Sequence, residues 1–418
     1  MVLIFDIMNF RRFSVHLIIA MSVLISSITS CTKDDTEPGN SYLVTYEPVV
    51  TYSKMSINSM IDLAAFQYAQ IASFKPYMES DVKVYRIVYR TSTGGKETEA
   101  SGLVSVPVNQ GDYPVLSFQN GTNTLNINAP SVNPSNSNYI LVEVLASMGF
   151  VVIIPDYPGF GESADIPHPY LVKDATVTSI TDMFYAAEEF DATGLPDISI
   201  LNEYYLLGYS QGGWATMALH KALELDFSSD FNLAGSVCGA GPYDIGLLFS
   251  QMVNVATYPM PVYLGYIFNA YSAYGQISNP VTDIFREPYA SRISTLYNGT
   301  KSFEQINSQL TTSVPDLLNA SFITGYTTSE KYSSVRKALS DNSIEAWHTY
   351  KPLLMIHGGN DTQVNPISTE TMYSSMIQKG TSGEICTKII IPGADHGDGV
   401  VPAMVEGINF LLKLKESR

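Results

Sequence analysis

Three cysteines in 418 residues are too few for a disulfide framework. Basic side chains are scarce as well: 23 Lys and Arg stand against 40 Asp and Glu, a formal charge of −17. A field of that sign repels nucleic acid and disfavours an anionic polymer as substrate. Long apolar runs are missing too. The one near the start, FSVHLIIAMSVLI at 13–25, stops short of the roughly 20 residues that a membrane-spanning helix needs. There is no internal repeat, and no low-complexity tract beyond the first forty residues. What the chain does have is 45% hydrophobic residues with only 15% charged, the composition of a folded protein with a large core.

The apolar run follows the basic pair Arg11-Arg12, as in the n- and h-regions of a signal peptide spanning 1–30. It ends in Ile28-Thr29-Ser30-Cys31, which resembles the lipobox of bacterial lipoproteins, so Cys31 is expected to be lipidated and to form the mature N-terminus. Residues 31–41 read as a polar tether without packing capacity. Lys33-Asp34-Asp35 within it resembles the surface-export signal of Bacteroidetes lipoproteins. These features imply an exported envelope lipoprotein of the outer membrane, held by an N-terminal lipid anchor and displayed on the surface. Removing residues 1–30 takes away two arginines and one aspartate, leaving 21 basic against 39 acidic residues. The remaining cysteines, Cys238 and Cys386, read as buried small apolar residues.

From Ser56, SINSMIDLAAFQYAQIASF has the apolar spacing of a helix. VKVYRIVYRTS and TEASGLVSVPV then alternate around Gly94-Gly95 as an antiparallel hairpin. Thereafter short apolar runs (YPVLSFQNG, FVVIIPDY, YYLLGYS, LAGSVCGAG, PLLMIHG, CTKIIIPG) alternate with helical stretches. Strands buried on both faces and separated by helices predict an α/β fold with a mostly parallel eight-stranded sheet and helices on both sides. Residues 242–348 contain no obvious strand but ten tyrosines and five phenylalanines. A structureless loop of that length is implausible, so they are expected to form a helical cap or lid inserted after the sixth strand. The rest of the α/β domain is then 42–241 and 349–418.

Gly208-Tyr209-Ser210-Gln211-Gly212 fits G-x-S-x-G between an apolar strand and a helix, the context in which that pattern presents a serine on a strained turn. A serine hydroxyl needs a base. Of six histidines, His396 directly follows the last strand, whereas His16 belongs to the signal, His220 lies far along the nucleophile helix, and His168 and His348 fall in loop or cap. His357, ending the next-to-last strand, reads as support beside the site. The base needs a carboxylate to fix its tautomer. Asp361, in the loop after the next-to-last strand, is better placed than Asp395 or Asp398, which flank His396 and suit turn formation and capping. Asp156-Tyr157-Pro158-Gly159-Phe160-Gly161 lacks the third glycine of a dinucleotide fingerprint. No metal or other cofactor is expected.

With the order Ser210, Asp361, His396 in hand, the chain from Val82 onward resembles an α/β-hydrolase, and within that superfamily the secretory lipase group of fungal lipase A and bacterial LipA-type esterases. The resemblance implies cleavage of a carboxylic ester in a small molecule or lipid through an acyl-enzyme. It also implies an oxyanion hole made by the N–H of Gln211 and one from Gly121 or Thr122, with Asn120 standing where the family has a histidine. Tyr209, Asn120 and Tyr157 are read as substrate contacts. Three alternatives stay open: a serine peptidase of the prolyl oligopeptidase type, an acetyl or feruloyl esterase acting on polysaccharide, and a non-catalytic surface binding module.

Overall fold

The computed structural model describes residues 41–195 and 197–418. The expected signal peptide, the lipidation at Cys31 and almost all of the tether lie outside the described residues. Nine strands form one sheet: β1 (Leu43–Tyr52), β2 (Val82–Thr93), β3 (Lys96–Pro107), β4 (Asp112–Gln119), β5 (Val151–Pro155), β6 (Ser199–Tyr209), β7 (Leu233–Gly239), β8 (Leu353–Gly358) and β9 (Cys386–Ile391). Their spatial order is β1-β2-β3-β5-β4-β6-β7-β8-β9. From β5 to β9 every pairing is parallel, and β1, β2 and β3 add an antiparallel flank. Thr93 pairs with Lys96 across a two-residue turn whose Gly94 and Gly95 both have positive φ, 58° and 73°. That is the turn a twisted hairpin prefers, and positive φ at both centres favours glycine there.

The sheet corrects the expected eight strands to nine. β1 escapes a pattern search because Leu43 and Tyr52 are its only buried residues and its register shifts between Pro48 and Val50. As an edge strand it has neither the alternation nor the continuous apolarity that marks the others. The long insertion therefore follows the seventh strand, β7, rather than the sixth.

β5, β7 and β8 are buried along their whole length, since helices cover both faces. One face packs α1 (Lys54–Gln67), α2 (Ser137–Glu143) and the C-terminal helix Val400–Glu416, with Ile57, Val142, Leu207 and Ile408 in a shared core. The other packs α3 (Lys173–Asp191) and α4 (Gln211–Leu225) through Phe184, Leu206 and Leu219. α1 starts at Ser53, whose side chain accepts from the Ser56 N–H, one of the leading donors that the helix itself leaves unpaired.

Between β7 and β8 the insertion is helical, beginning with α5 (Ile245–Val253) and α6 (Pro261–Ala273). Its aromatic residues mostly pack on one another: Phe249, Phe268, Phe285 and Phe322 form edge-to-face pairs. Two contacts tie it to the segment after β4. Leu125 bridges Thr300, and the Tyr266 hydroxyl donates to the Asn123 carbonyl at 3.0 Å.

Candidate active site

Ser210 is the single residue between β6 and α4, with φ 58° and ψ −121°. A residue with a Cβ pays of order 1–3 kcal/mol for such a backbone, and the sharp turn leaves its hydroxyl at the end of the sheet. Close approach explains the glycines on either side. A Cβ on Gly208 would meet Gly212 O at 2.3 Å, and one on Gly212 would meet Gln119 O at 1.8 Å. The Ser210 N–H is itself fixed on the Gly239 carbonyl at 2.8 Å.

Loop 392–399, between β9 and the C-terminal helix, brings His396 to the serine. Its Nε2 lies 2.8 Å from Ser210 Oγ and its Nδ1 2.6 Å from Asp361 Oδ2. A carboxylate only accepts, so Nδ1 carries the proton and Nε2 is left to accept from the serine hydroxyl. The Asp361 side chain is fully buried in the loop after β8. Burial alone would raise its carboxyl. Hydrogen bonds from His357 and His396, the charge of His396 and the Val364 N–H outweigh that and hold it well below the usual carboxylate range. Its Oδ1 accepts from the N–H groups of Gln363 and Val364, both at 2.9 Å.

His357 stands behind this carboxylate, with Nε2 at 3.3 Å from Asp361 Oδ2 and 2.8 Å from the Val364 carbonyl. Asp395 turns the histidine loop, its Oδ1 accepting from the N–H groups of Gly397 and Asp398. His220 is buried inside α4 against Ser236 and Thr349, and His348 stacks on Tyr350, both away from the serine.

Of the expected substrate contacts, Tyr209 and Asn120 line the cavity described below and Tyr157 does not. The Tyr209 hydroxyl donates to the His396 carbonyl at 2.8 Å, so the residue before the serine also steadies the histidine loop. Asn120 points its amide inward to the Pro155 carbonyl at 2.9 Å. Tyr157 is a correction: it is buried with positive φ, and its hydroxyl donates to the Asn120 carbonyl. It braces the Asn120-Gly121-Thr122 loop from behind and has no surface for a ligand. In the same segment, Asp156 is buried and accepts from the Ser101 and Ser131 hydroxyls and the Ser131 N–H, which makes it an anchor for its turn.

Gln211 leads α4, so its N–H has no acceptor within the helix. Gly121 and Thr122 border the cavity described below. A Cβ on Gly121 would sit 3.6 Å from Tyr209 O, an ordinary contact, so space does not demand glycine there.

The cavity that contains Ser210 and His396 measures about 570 Å³, within the range of small-ligand sites. Its walls come from Ile61 of α1, Val142 of α2 and Val401, Met404 and Ile408 of the C-terminal helix; the insertion contributes only Tyr263 and Phe303. Sequence reasoning missed these walls because each residue lies on an amphipathic helix and reads as core.

A serine on a sharp turn between a parallel strand and a helix, with a carboxylate and an imidazole in the loops after the last two strands, is the arrangement of an α/β-hydrolase. The chain belongs to the secretory lipase family, whose sequence model matches residues 129–391, and it is a carboxylic ester hydrolase. Among solved structures, the fold is similar to that of a putative hydrolase from Legionella pneumophila (TM-score 0.79, 23% identity, covering 90% of this chain and 98% of that one). It is similar also to the rice cell wall degrading esterase LipA from Xanthomonas oryzae in a ligand-bound form (TM-score 0.74, 24% identity, 88% and 95% covered). Candida antarctica lipase A in its closed state aligns with TM-score 0.67 at 14% identity, covering 91% of this chain and 83% of that one. No curated protein matches by sequence. Among the described residues, no helix is long and apolar enough to cross a membrane.

Proposed function

We propose that Ser210 attacks the ester carbonyl while His396 Nε2 takes its proton and returns it to the leaving alkoxide. Water, deprotonated by the same nitrogen, then releases the acid from the acyl-serine and restores the free hydroxyl. Asp361 keeps His396 in the tautomer that leaves Nε2 basic and stabilises the imidazolium. The observation that carries this reading is the continuous hydrogen-bonded path, 2.8 Å and then 2.6 Å, from Ser210 Oγ through His396 to a buried, ionised carboxylate. The oxyanion is assigned to the N–H of Gln211 and a backbone donor at Gly121 or Thr122, each such donor being worth about 3 kcal/mol in the transition state.

The acyl chain is assigned to the cavity among α1, α2 and the C-terminal helix, because those walls are aliphatic and begin at the serine. Residues 242–348 act as a cap over the site, on the body formed by 42–241 and 349–418. Export is supported by the family's secretory character, and anchoring as an outer-membrane lipoprotein through Cys31 by the sequence pattern at 28–31.

The test is a panel of p-nitrophenyl esters from acetate to palmitate beside a peptide anilide, with wild type and Ser210→Ala. Turnover is expected to favour the esters and to vanish in the variant. Equal residual turnover in Ser210→Ala would overturn the mechanism, and preference for the anilide would point to a peptidase. Cys31→Ser is expected to release the protein from the membrane fraction; retention would refute the anchor.

A further inference from the structure

His168, placed by sequence reasoning in an ordinary loop, is buried beside Gln211. Its Nδ1 lies 2.8 Å from the Pro158 carbonyl, which can only accept, so the ring proton sits on Nδ1 and Nε2 is an acceptor. Nε2 in turn lies 3.0 Å from Gln211 Nε2. The amide of Gln211 therefore has one workable orientation, NH₂ toward the ring. Burial lowers the imidazole pKa to about 4 against the raising effect of the Pro158 carbonyl, so the ring stays neutral in ordinary buffers.

The ring has little room to move. A Cβ on Gly159 would lie 2.4 Å from His168 Cα, and the rings of Phe160 and Tyr266 pack at 5.0 Å and 5.6 Å. Two residues on, the Tyr170 hydroxyl lies 3.1 Å from Thr122 Oγ1, and its ring stacks on Tyr266 at 4.4 Å. The short segment 168–170 thus touches the first residue of α4 and the loop after β4, with a tyrosine of the insertion packed against both.

We propose that His168 is a positioning residue for the oxyanion side of the site: by accepting from the Gln211 amide it fixes the residue whose backbone N–H meets the developing charge. The inference rests on the reading of Ser210 and Gln211 given above. A leading helix residue is hydrogen-bonded through its backbone on one side only, so a side-chain tether narrows the positions its N–H can take. Donors aimed at a transition state lose their value when displaced by fractions of an ångström.

His168→Asn and His168→Gln separate the two ring nitrogens. Asparagine can keep the donor to Pro158 and loses the acceptor for Gln211; glutamine reaches the Nε2 position and can keep that acceptor. With p-nitrophenyl butyrate and active-site titration to count folded enzyme, His168→Asn is expected to lower kcat about tenfold with KM within about twofold. His168→Gln should recover at least about threefold of that loss. In the double variant with Gln211→Met, His168→Asn should add nothing to the loss caused by Gln211→Met alone. A merely structural histidine would lower the melting temperature in both variants and leave kcat per titrated site unchanged. That outcome, equal kcat in the two variants, or losses that multiply in the double variant would each overturn the proposal. Should neither histidine variant fold, Gln211→Met decides, since unchanged kcat there overturns it as well. Ser210→Ala is run in parallel. If it retains activity the underlying mechanism fails, whereas an inactive Ser210→Ala with a fully active His168→Asn refutes only the positioning role.

Discussion

Replacing Asp361 by asparagine should disable His396 while leaving its surroundings in place, and the hydrogen bonds around the carboxylate say why. Oδ1 receives two backbone N–H groups, from Gln363 and Val364 at 2.9 Å each. In Asp361→Asn the amide oxygen must stay there, because an NH₂ turned toward two donors would leave three groups unsatisfied in a buried site. The NH₂ then faces His396 Nδ1, which sits 2.6 Å from Oδ2 in the wild type. Nδ1 has to become the acceptor, and the ring proton moves to Nε2, the nitrogen 2.8 Å from Ser210 Oγ. A base already protonated at its working nitrogen cannot take the serine proton. The corresponding change in a triad of this kind lowers kcat by about 10⁴-fold, or about 5 kcal/mol. KM should change little, since no cavity wall is touched. Initial rates with p-nitrophenyl butyrate, normalised by active-site titration at long incubation, measure the effect. A variant retaining a tenth of wild-type kcat would refute the tautomer argument.

Glu143 is fully buried, its Oε2 accepting from the Tyr52 hydroxyl at 3.0 Å. Burial pushes its carboxyl up to about 7, partly countered by that hydrogen bond. A pKa raised on folding gives stability that is complete below the unfolded value near 4.5 and lost as pH climbs through 7, up to about 3 kcal/mol. Urea midpoints at pH 5 and pH 8 should therefore differ less in Glu143→Gln than in wild type, and equal differences would exclude Glu143 as the source. Gly212→Ala should destabilise by at least about 3 kcal/mol in thermal unfolding, because its Cβ meets the Gln119 carbonyl at 1.8 Å. Val401→Trp fills the cavity from the C-terminal helix. It should lower kcat/KM for octanoate by more than about thirtyfold and for acetate by less than about threefold; parallel losses would place the acyl chain elsewhere.

Much of the site was legible because it lies where chain direction and chemistry coincide. Ser210 is bracketed by a strand and a helix that any periodicity search finds, Asp361 comes soon after the buried strand β8, and His396 soon after the apolar, partly buried β9. β1 was hidden because an edge strand with two buried residues carries no pattern. His168 was hidden for a different reason: its partners, Pro158 and Gln211, come from another turn and from the nucleophile helix, and nothing local marks the pairing. The nearby Tyr170, a large apolar ring in a short loop, was the available hint of burial. Tyr157 misled because a tyrosine in a Gly-rich loop beside the expected site reads as a contact, while its positive φ and burial turn the ring inward.

The walls of the cavity have a consequence for how such a protein can diversify. Ile61, Val142 and Met404 belong to helices that also hold the sheet's core, whereas the insertion between β7 and β8 adds only Tyr263 and Phe303. If the acyl chain lies there as proposed, changes in chain-length preference fall on residues that stability already constrains. The insertion shares one buried cluster with the body, Phe249, Phe268 and Phe322 lying in it together with Trp214, Cys238 and Met355, so neither part can be replaced without repacking the other.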